Sequence, residues 1–442
     1  MNKEFHKKQN FFSFSDIDSE RKDRIMKFTS TEATPAPHVP PGVLRLTGAA
    51  KEDIPMYRIQ TMNKISPVGL NRFPSELYEV GDAVQDPQGI LVRSAKLLDL
   101  EFNPSLLAIA RAGVGVNNIP LDRCAAAGIP VFSTPGANAV KELVICAMLM
   151  GSRDIPGAIR WVREQAASGV DVSTVVEKGK SAFIGPELYK KTLGIIGLGA
   201  IGSIVANTAI SLGMDVYGYD PFLSVDTALR LDRHVHVVKD INDLYKRSDY
   251  ITMHIHYTEK TAHMIDADAI AAMKRGVRVI NLARGEIVDD EAMLTALDTG
   301  MVAAYITDFP NNRLLTAPHV IAMPHLGAST PESEQNCAAM AVDTLRDYLE
   351  SGNIRSSVNL PEMTMDRSGV QRLCVLHKNV PGMLANITSL FGRDGVNVEN
   401  LSNKSRGDYA YTMVDLGSKV GDNVIEDVRR TANVIRVRSL EW

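Results

Sequence analysis

The chain has 442 residues, 45% of them hydrophobic and 23% charged, which allows about three domains with sizeable cores and is ordinary for a globular protein. Its 48 Lys and Arg against 52 Asp and Glu leave a net charge of −4, so there is no basic excess to draw it to nucleic acid or to an anionic membrane. Four dispersed cysteines (Cys124, Cys146, Cys337, Cys374) form no C-x-x-C pair and no apolar run approaches the roughly 18 residues of a membrane span, which argues against a disulfide framework, a zinc site and a spanning helix and for a reducing, cytoplasmic setting.

Residues 1–52 read as a disordered tail, with basic clusters at Lys7-Lys8 and 21–24 and a Pro-rich stretch at 34–41. From Met56 onward strands and helices alternate, which predicts a parallel α/β sheet. Predicted strands over 89–94, 106–110 and 129–133 each run into a polar loop, and ligands of such sheets gather where strands end. Arg93, Ser94, Arg111 and Asn138 occupy those ends, and Gly113-Val114-Gly115 exposes backbone beside Arg111. Two arginines at successive strand ends point to an anionic substrate. Lys141, beside Glu142, is either a further anion contact or a helix-end charge.

A long helical pattern over 140–150 resumes after Pro156 and crosses to a second lobe. There an apolar strand over 193–196 turns through Gly197, Gly199 and Gly202 into an apolar helix over 204–212. Gly197 suits the tight turn, Gly199 the approach of a pyrophosphate and Gly202 the packing of helix on strand, with the anion at the helix N-terminus. A second strand over 214–219 ends in Asp220, close to the expected offset of about 20 residues for a ribose-binding acid, which favours NAD by repelling a 2′-phosphate. Strands recur over 250–255, 277–282, 302–307 and 320–323, and a long helix over 331–349 leads back. The second lobe is therefore read as inserted into the first, with a cleft between them.

Two stretches carry chemistry suited to a 2-hydroxy acid. The strand over 277–282 runs through Ala283 into Arg284, whose planar guanidinium matches a carboxylate; Pro324-His325-Leu326-Gly327 holds an imidazole in a turn, able to move a proton in both reaction directions. His254, His256 and His263 lack an accompanying acid or cysteine at ligand spacing, so no metal site is expected. Beyond a linker at 361–370, residues 371–442 show the order β-α-β-β-α-β, which is ferredoxin-like and suits sensing or assembly.

With these motifs, residues 56–442 resemble the D-isomer-specific 2-hydroxyacid dehydrogenases. The resemblance implies two Rossmann-like doubly wound lobes: a flavodoxin-like substrate domain (53–155 and 325–360) and an inserted NAD domain (156–324). It implies NAD-dependent oxidation of 3-phospho-D-glycerate to 3-phosphooxypyruvate, the first step of L-serine synthesis, by a tetramer. Arg284 would hold the substrate carboxylate, His325 would be the acid/base, and Arg93 and Arg111 would help hold the phosphate, with Ser94, Gly113, Val114 and Asn138 around them. Ala200, Ile201, Asp220, Ile255, Leu282, Ala283, Asp308 and the turn His325, Leu326, Gly327, Ala328 match cofactor positions. The C-terminal unit resembles an ACT domain, and its His377, Asn379 and Asn397 match a serine-sensing pattern; dimerisation alone is the other reading of that unit. One departure stands out: the family's D-V-F-x-x-E-P glutamate, which polarises the histidine, is absent from 305–313, and Asp308 or an acid from elsewhere must serve instead. Dehydrogenation of another 2-hydroxy acid (glyoxylate or 2-hydroxyglutarate), or a catalytically silent NAD-binding regulator, are the competing readings.

Overall fold

Short apolar runs that carry no polar face must be covered on both sides, and that is how the first sheet is built. The computed structural model describes residues 56–442; the expected tail at 1–52 lies outside the described residues. Strands β1 (Tyr57–Met62), β2 (Tyr78–Gly81), β3 (Gly89–Val92), β4 (Ala108–Arg111) and β5 (Val131–Ser133) form a parallel sheet in the order β2-β1-β3-β4-β5. All four residues of β3 are buried, as expected for a central parallel strand between helical layers. One layer comes from far along the chain: the helix Pro331–Ser351, capped by Thr330 and ended by a left-handed Gly352, lays Ala338, Ala341, Val342, Leu345 and Leu349 into the core of this sheet.

The second lobe is a seven-stranded parallel sheet of β6 (Thr192–Ile196), β7 (Asp215–Tyr219), β8 (Val235–Val238), β9 (Tyr250–Met253), β10 (Val277–Asn281), β11 (Val302–Thr307) and β12 (Val320–Ala322). Its order, β12-β11-β10-β9-β6-β7-β8, reverses direction between β6 and β9, which is where a doubly wound sheet opens a ligand crevice. The helix Ala137–Arg153, which the sequence reading leaves in the first lobe, belongs by packing to this one. Val140, Val144, Ala147 and Met148 sit in one core with Ile280, Leu282 and Ile306, because its apolar stripe matches the bare face of β10 and β11. Past a left-handed Asp154, the helices Ile155–Ala167 and Val172–Gly179 bury no residue at all.

The C-terminal unit has four antiparallel strands, β13 (Gln371–Lys378), β14 (Val398–Arg406), β15 (Tyr409–Leu416) and β16 (Val434–Glu441), in the order β14-β15-β13-β16. Helices Met383–Arg393 and Asp422–Arg430 cover one face through Ile387, Phe391 and Val428. The result is an α/β protein of two Rossmann-like lobes with a ferredoxin-like, ACT-like C-terminal unit. The other face of the small sheet packs Cys374, Leu376, Tyr411, Met413 and Leu440 into the same core as the first lobe. The stretch expected to be a linker, 361–370, is part of that core. Met363 is paired with Ile354 by two backbone hydrogen bonds of 2.8 and 2.9 Å, and Met365 is buried beside it, since two apolar side chains here find cover between the units. Arg372 locks the seam. It is fully buried, bonds Asp415 bidentately at 2.6 and 2.7 Å, and gives its remaining N–H groups to the carbonyls of Ser351, Met365 and Asp366.

Candidate active site

At the switch point the chain leaves β6 through a glycine turn. Gly197 has φ 92°, a conformation that side chains strain to adopt, and a Cβ there would lie 2.6 Å from the His254 carbonyl. Gly199 faces open space, which leaves the backbone clear for a pyrophosphate over Ala200 and Ile201, at the start of the helix Gly202–Ser211. Asp220 closes the far side. Its carboxylate accepts from the Leu198 amide at 2.9 Å and the Phe222 amide at 2.8 Å, so the acid both braces the loop and puts a negative charge at the crevice. Ile255 lies against Gly197, and Leu282 and Ala283 continue β10 into the crevice. The donors, the open backbone and the acid fit a dinucleotide without a 2′-phosphate.

Across the cleft, three arginines converge. Arg284 follows Ala283 and donates to its carbonyl at 2.5 Å. Asn281, fully buried, shapes this turn by accepting from Ala283 and donating to the Arg284 carbonyl at 2.8 Å. The guanidinium of Arg284 reaches the first lobe: a Cβ on Gly115 would stand 1.9 Å from its Nη2. Arg111, at the end of β4, leans on Gly113 and keeps its Nε buried and unpartnered. Burial pushes Arg111 down to about 10, with the charges of Arg284 and Arg93 acting the same way. Arg284 is also lowered, by burial first, against the pull of Glu286 and Asp308. Arg93 bonds Glu334 at 2.6 Å, and the loop with Ser94 is held by amide bonds to Asn63. A buried guanidinium with cationic neighbours and an unpartnered Nε, as Arg111 has, suits an anion beside it. Val114 is half-buried, while Asn138 is exposed on the first turn of its helix. Lys141 stands 3.9 Å from Glu142 on the same helix, a weak pair.

His325 is exposed at the mouth, its ring 4.7 Å from that of Phe309. Below it lies Asp308, 1% exposed. One oxygen of Asp308 accepts from the Gly327 amide at 3.1 Å, and the other has no partner. Burial raises Asp308 above the usual carboxylate range; the charge of His325 and the amides of Gly327 and Leu326 pull it back. A cavity of about 790 Å³ opens here, lined by Asp308, Phe309 and His325 and by Glu286, Asp289 and Asp290 on its far wall. Ala328 closes the turn, half-buried. Asn281, Gly115 and Glu286 are site residues beyond those expected from sequence; each lies within one or two residues of an expected one, which is the signal that could have found them.

The expected effector residues differ in exposure. His377 is 2% exposed, its Nδ1 donating to the Lys378 carbonyl and its Nε2 paired with Thr412 Oγ1, both at 2.8 Å. Both ring nitrogens are used inside the fold, because β13 is a central strand and its side chains are covered from both faces. Asn379 and Asn397 are exposed.

Residues 145–327 match the family described as D-isomer specific 2-hydroxyacid dehydrogenase, NAD binding domain. A D-3-phosphoglycerate dehydrogenase of Escherichia coli is 31% identical over 380 residues, 82% of this chain and 89% of that one. The chain belongs to the D-isomer specific 2-hydroxyacid dehydrogenases. A Synechocystis protein of the same description is 36% identical over 326 residues, 71% of this chain. The chain spans 55 to 60% of the length of three such relatives, the Synechocystis one among them. The NAD-bound 3-phosphoglycerate dehydrogenase of Entamoeba histolytica superposes with a TM-score of 0.52 at 26% identity, covering 69% of this chain and 99% of that one. Within this family the second lobe is the NAD-binding domain, and NAD is the cofactor the glycine turn and Asp220 suit. Among the described residues no helix is long and apolar enough to cross a membrane.

Proposed function

We propose that the chain oxidises 3-phospho-D-glycerate to 3-phosphooxypyruvate with NAD. The observation that carries this reading is the convergence of Arg93 and Arg111 on Arg284, whose guanidinium lies over the Phe309 ring that His325 also packs against. Three cations suit a substrate with both a carboxylate and a phosphate, more negative than a simple 2-hydroxy acid. Bound NAD supplies the hydride acceptor. Arg284 fixes the substrate carboxylate and so aims C2, while Arg93 and Arg111 hold the phosphate. His325 takes the hydroxyl proton as the hydride leaves C2. Asp308, in place of the missing glutamate, stabilises the imidazolium that results: it is the buried acid under the histidine turn, with one oxygen free.

The similarity to phosphoglycerate dehydrogenases over most of the chain supports the same substrate. The test is NADH formation from 3-phospho-D-glycerate under alkaline conditions with the product removed. Absence of turnover there, alongside NADH-dependent reduction of glyoxylate or NAD-dependent oxidation of 2-hydroxyglutarate, overturns the reading. We further propose serine as an effector at His377, Asn379 and Asn397, with the two exposed amides as its first contacts. Inhibition of the same assay by added serine checks this. The uncovered helices Ile155–Ala167 and Val172–Gly179, with Ile159, Val162 and Val176 exposed, support assembly into an oligomer, for which a tetramer is the expected state. Four unpaired cysteines agree with a cytoplasmic location.

A further inference from the structure

Strand β14 ends at Arg406, just before the turn through Gly407, whose φ of 56° suits only a glycine-like position. The C-terminal unit does not stop short of the first lobe here. Arg406 Nη1 donates to the Ser357 carbonyl at 2.9 Å. Ser357 pairs with Phe132 across an antiparallel bridge, and the neighbouring Ser356 carbonyl accepts from the Ser133 amide at 3.0 Å. Ser133 closes β5, and its hydroxyl is placed 3.2 and 2.9 Å from the carbonyls of Gly113 and Val114. Three hydrogen-bonded steps therefore connect Arg406 to the loop that cups Arg111 and Arg284. The cleft side of this connection is marked by His256. The cleft walls desolvate that imidazole and lower it, and the charges of Arg284 and then Arg406 lower it further, from different domains. One N–H of Arg406 is engaged with Ser357, and among the described residues the guanidinium is in no ion pair, which leaves donors of the fork unused.

We propose that Arg406, carried by the C-terminal unit, is a fourth cation of the substrate cleft and binds the phosphate end of the substrate in the same chain. This rests on the reading of the substrate as a phosphorylated hydroxy acid. The placement gives the C-terminal unit a direct hand in substrate affinity. It also ties that hand to the effector loop, since the Asn379 amide side chain donates to the Gly407 carbonyl at 3.1 Å and its backbone N–H to the Asp408 carbonyl at 2.9 Å. A ligand that takes hold of Asn379 would release the turn that carries Arg406.

The test uses the full chain with three variants: Arg406→Ala, Arg406→Lys and, as a control on the same exposed strand, Lys404→Ala. Arg406→Ala is expected to raise KM for 3-phospho-D-glycerate about ten-fold, the loss of one charge-assisted bond, with kcat and KM for NAD unchanged. It is also expected to weaken competitive inhibition by inorganic phosphate to a similar degree. Arg406→Lys should recover most of the loss, and Lys404→Ala should match the parent. A merely bracing role for Arg406 predicts otherwise: a lower melting temperature, a lower kcat and no rescue by lysine, and that pattern overturns the proposal. An unchanged KM overturns it as well. The two readings fail separately. A parent chain inactive on 3-phospho-D-glycerate removes both, whereas an active parent with an indifferent Arg406→Ala removes this one alone.

Discussion

Asp308 shows how a single buried atom can carry a chemical role. One of its two oxygens has no partner, and burial holds its carboxyl above the ordinary range, so it regains a proton earlier than a free aspartate as the pH falls. The imidazolium of His325 then loses its counter-charge on the acid side. Asp308→Asn is expected to lower kcat by about a hundred-fold with little change in NAD affinity, and to flatten the acid limb of the rate profile. The stability effect has the opposite sign. The folded state holds a proton that the unfolded chain releases, so stability falls as pH rises from the usual carboxylate range through the raised value. The asparagine variant should therefore melt higher than the parent at neutral pH, which calorimetry reads directly. Gly115 gives a second check. An alanine methyl would meet Arg284 Nη2 at 1.9 Å, and Gly115→Ala is expected to cut kcat/KM by about ten- to a hundred-fold by misplacing that guanidinium. Arg284 and His325 were legible because each sits in a local motif. The free oxygen of Asp308 was not, since it depends on what β11 and the histidine turn bury together. The burial of His377 was not legible for the same reason: its neighbours in sequence suggest an open loop, and only the pairing of β13 with β15 and β16 encloses it.

Among elements, the glycine turn was read almost residue by residue, because strand, turn and helix each leave a local signature. The sequence spacing could not say that Asp220 has two tasks. Its carboxylate anchors the Leu198 and Phe222 amides as well as facing the crevice. Asp220→Asn keeps an acceptor oxygen but loses the charge. It should relax the preference for NAD over NADP by about ten-fold while leaving the fold intact, as measured by kcat/KM for the two cofactors. The helix Ala137–Arg153 was also visible as a helix, yet its allegiance was not. An apolar stripe states that a face is buried and is silent about which of two sheets will bury it.

For the whole molecule, the most consequential misreading was the linker. Leu360, Met363 and Met365 lie between polar residues and a proline, and their burial follows only from the sheets of the first lobe and the C-terminal unit closing over them. The seam they form is held by Arg372 and Asp415, a fully buried and fully bonded pair. Removing one member leaves the other charged and alone, at a cost of about 3–5 kcal/mol. Asp415→Ala is expected to show that loss in denaturant unfolding, and to loosen the first lobe together with the C-terminal unit in one transition rather than two.

That shared core also orders events during synthesis. Strands β1 to β5 leave the ribosome long before the helix Pro331–Ser351 that must cover them, and at 5–20 residues per second the delay is roughly 10–40 s. The NAD lobe, which includes its own crossing helix, is contiguous and can close meanwhile. Strands β1 to β5 are thus among the last elements to be sheltered: a bare parallel sheet waits, exposed to aggregation or to chaperones, until the helix Pro331–Ser351 arrives to cover it.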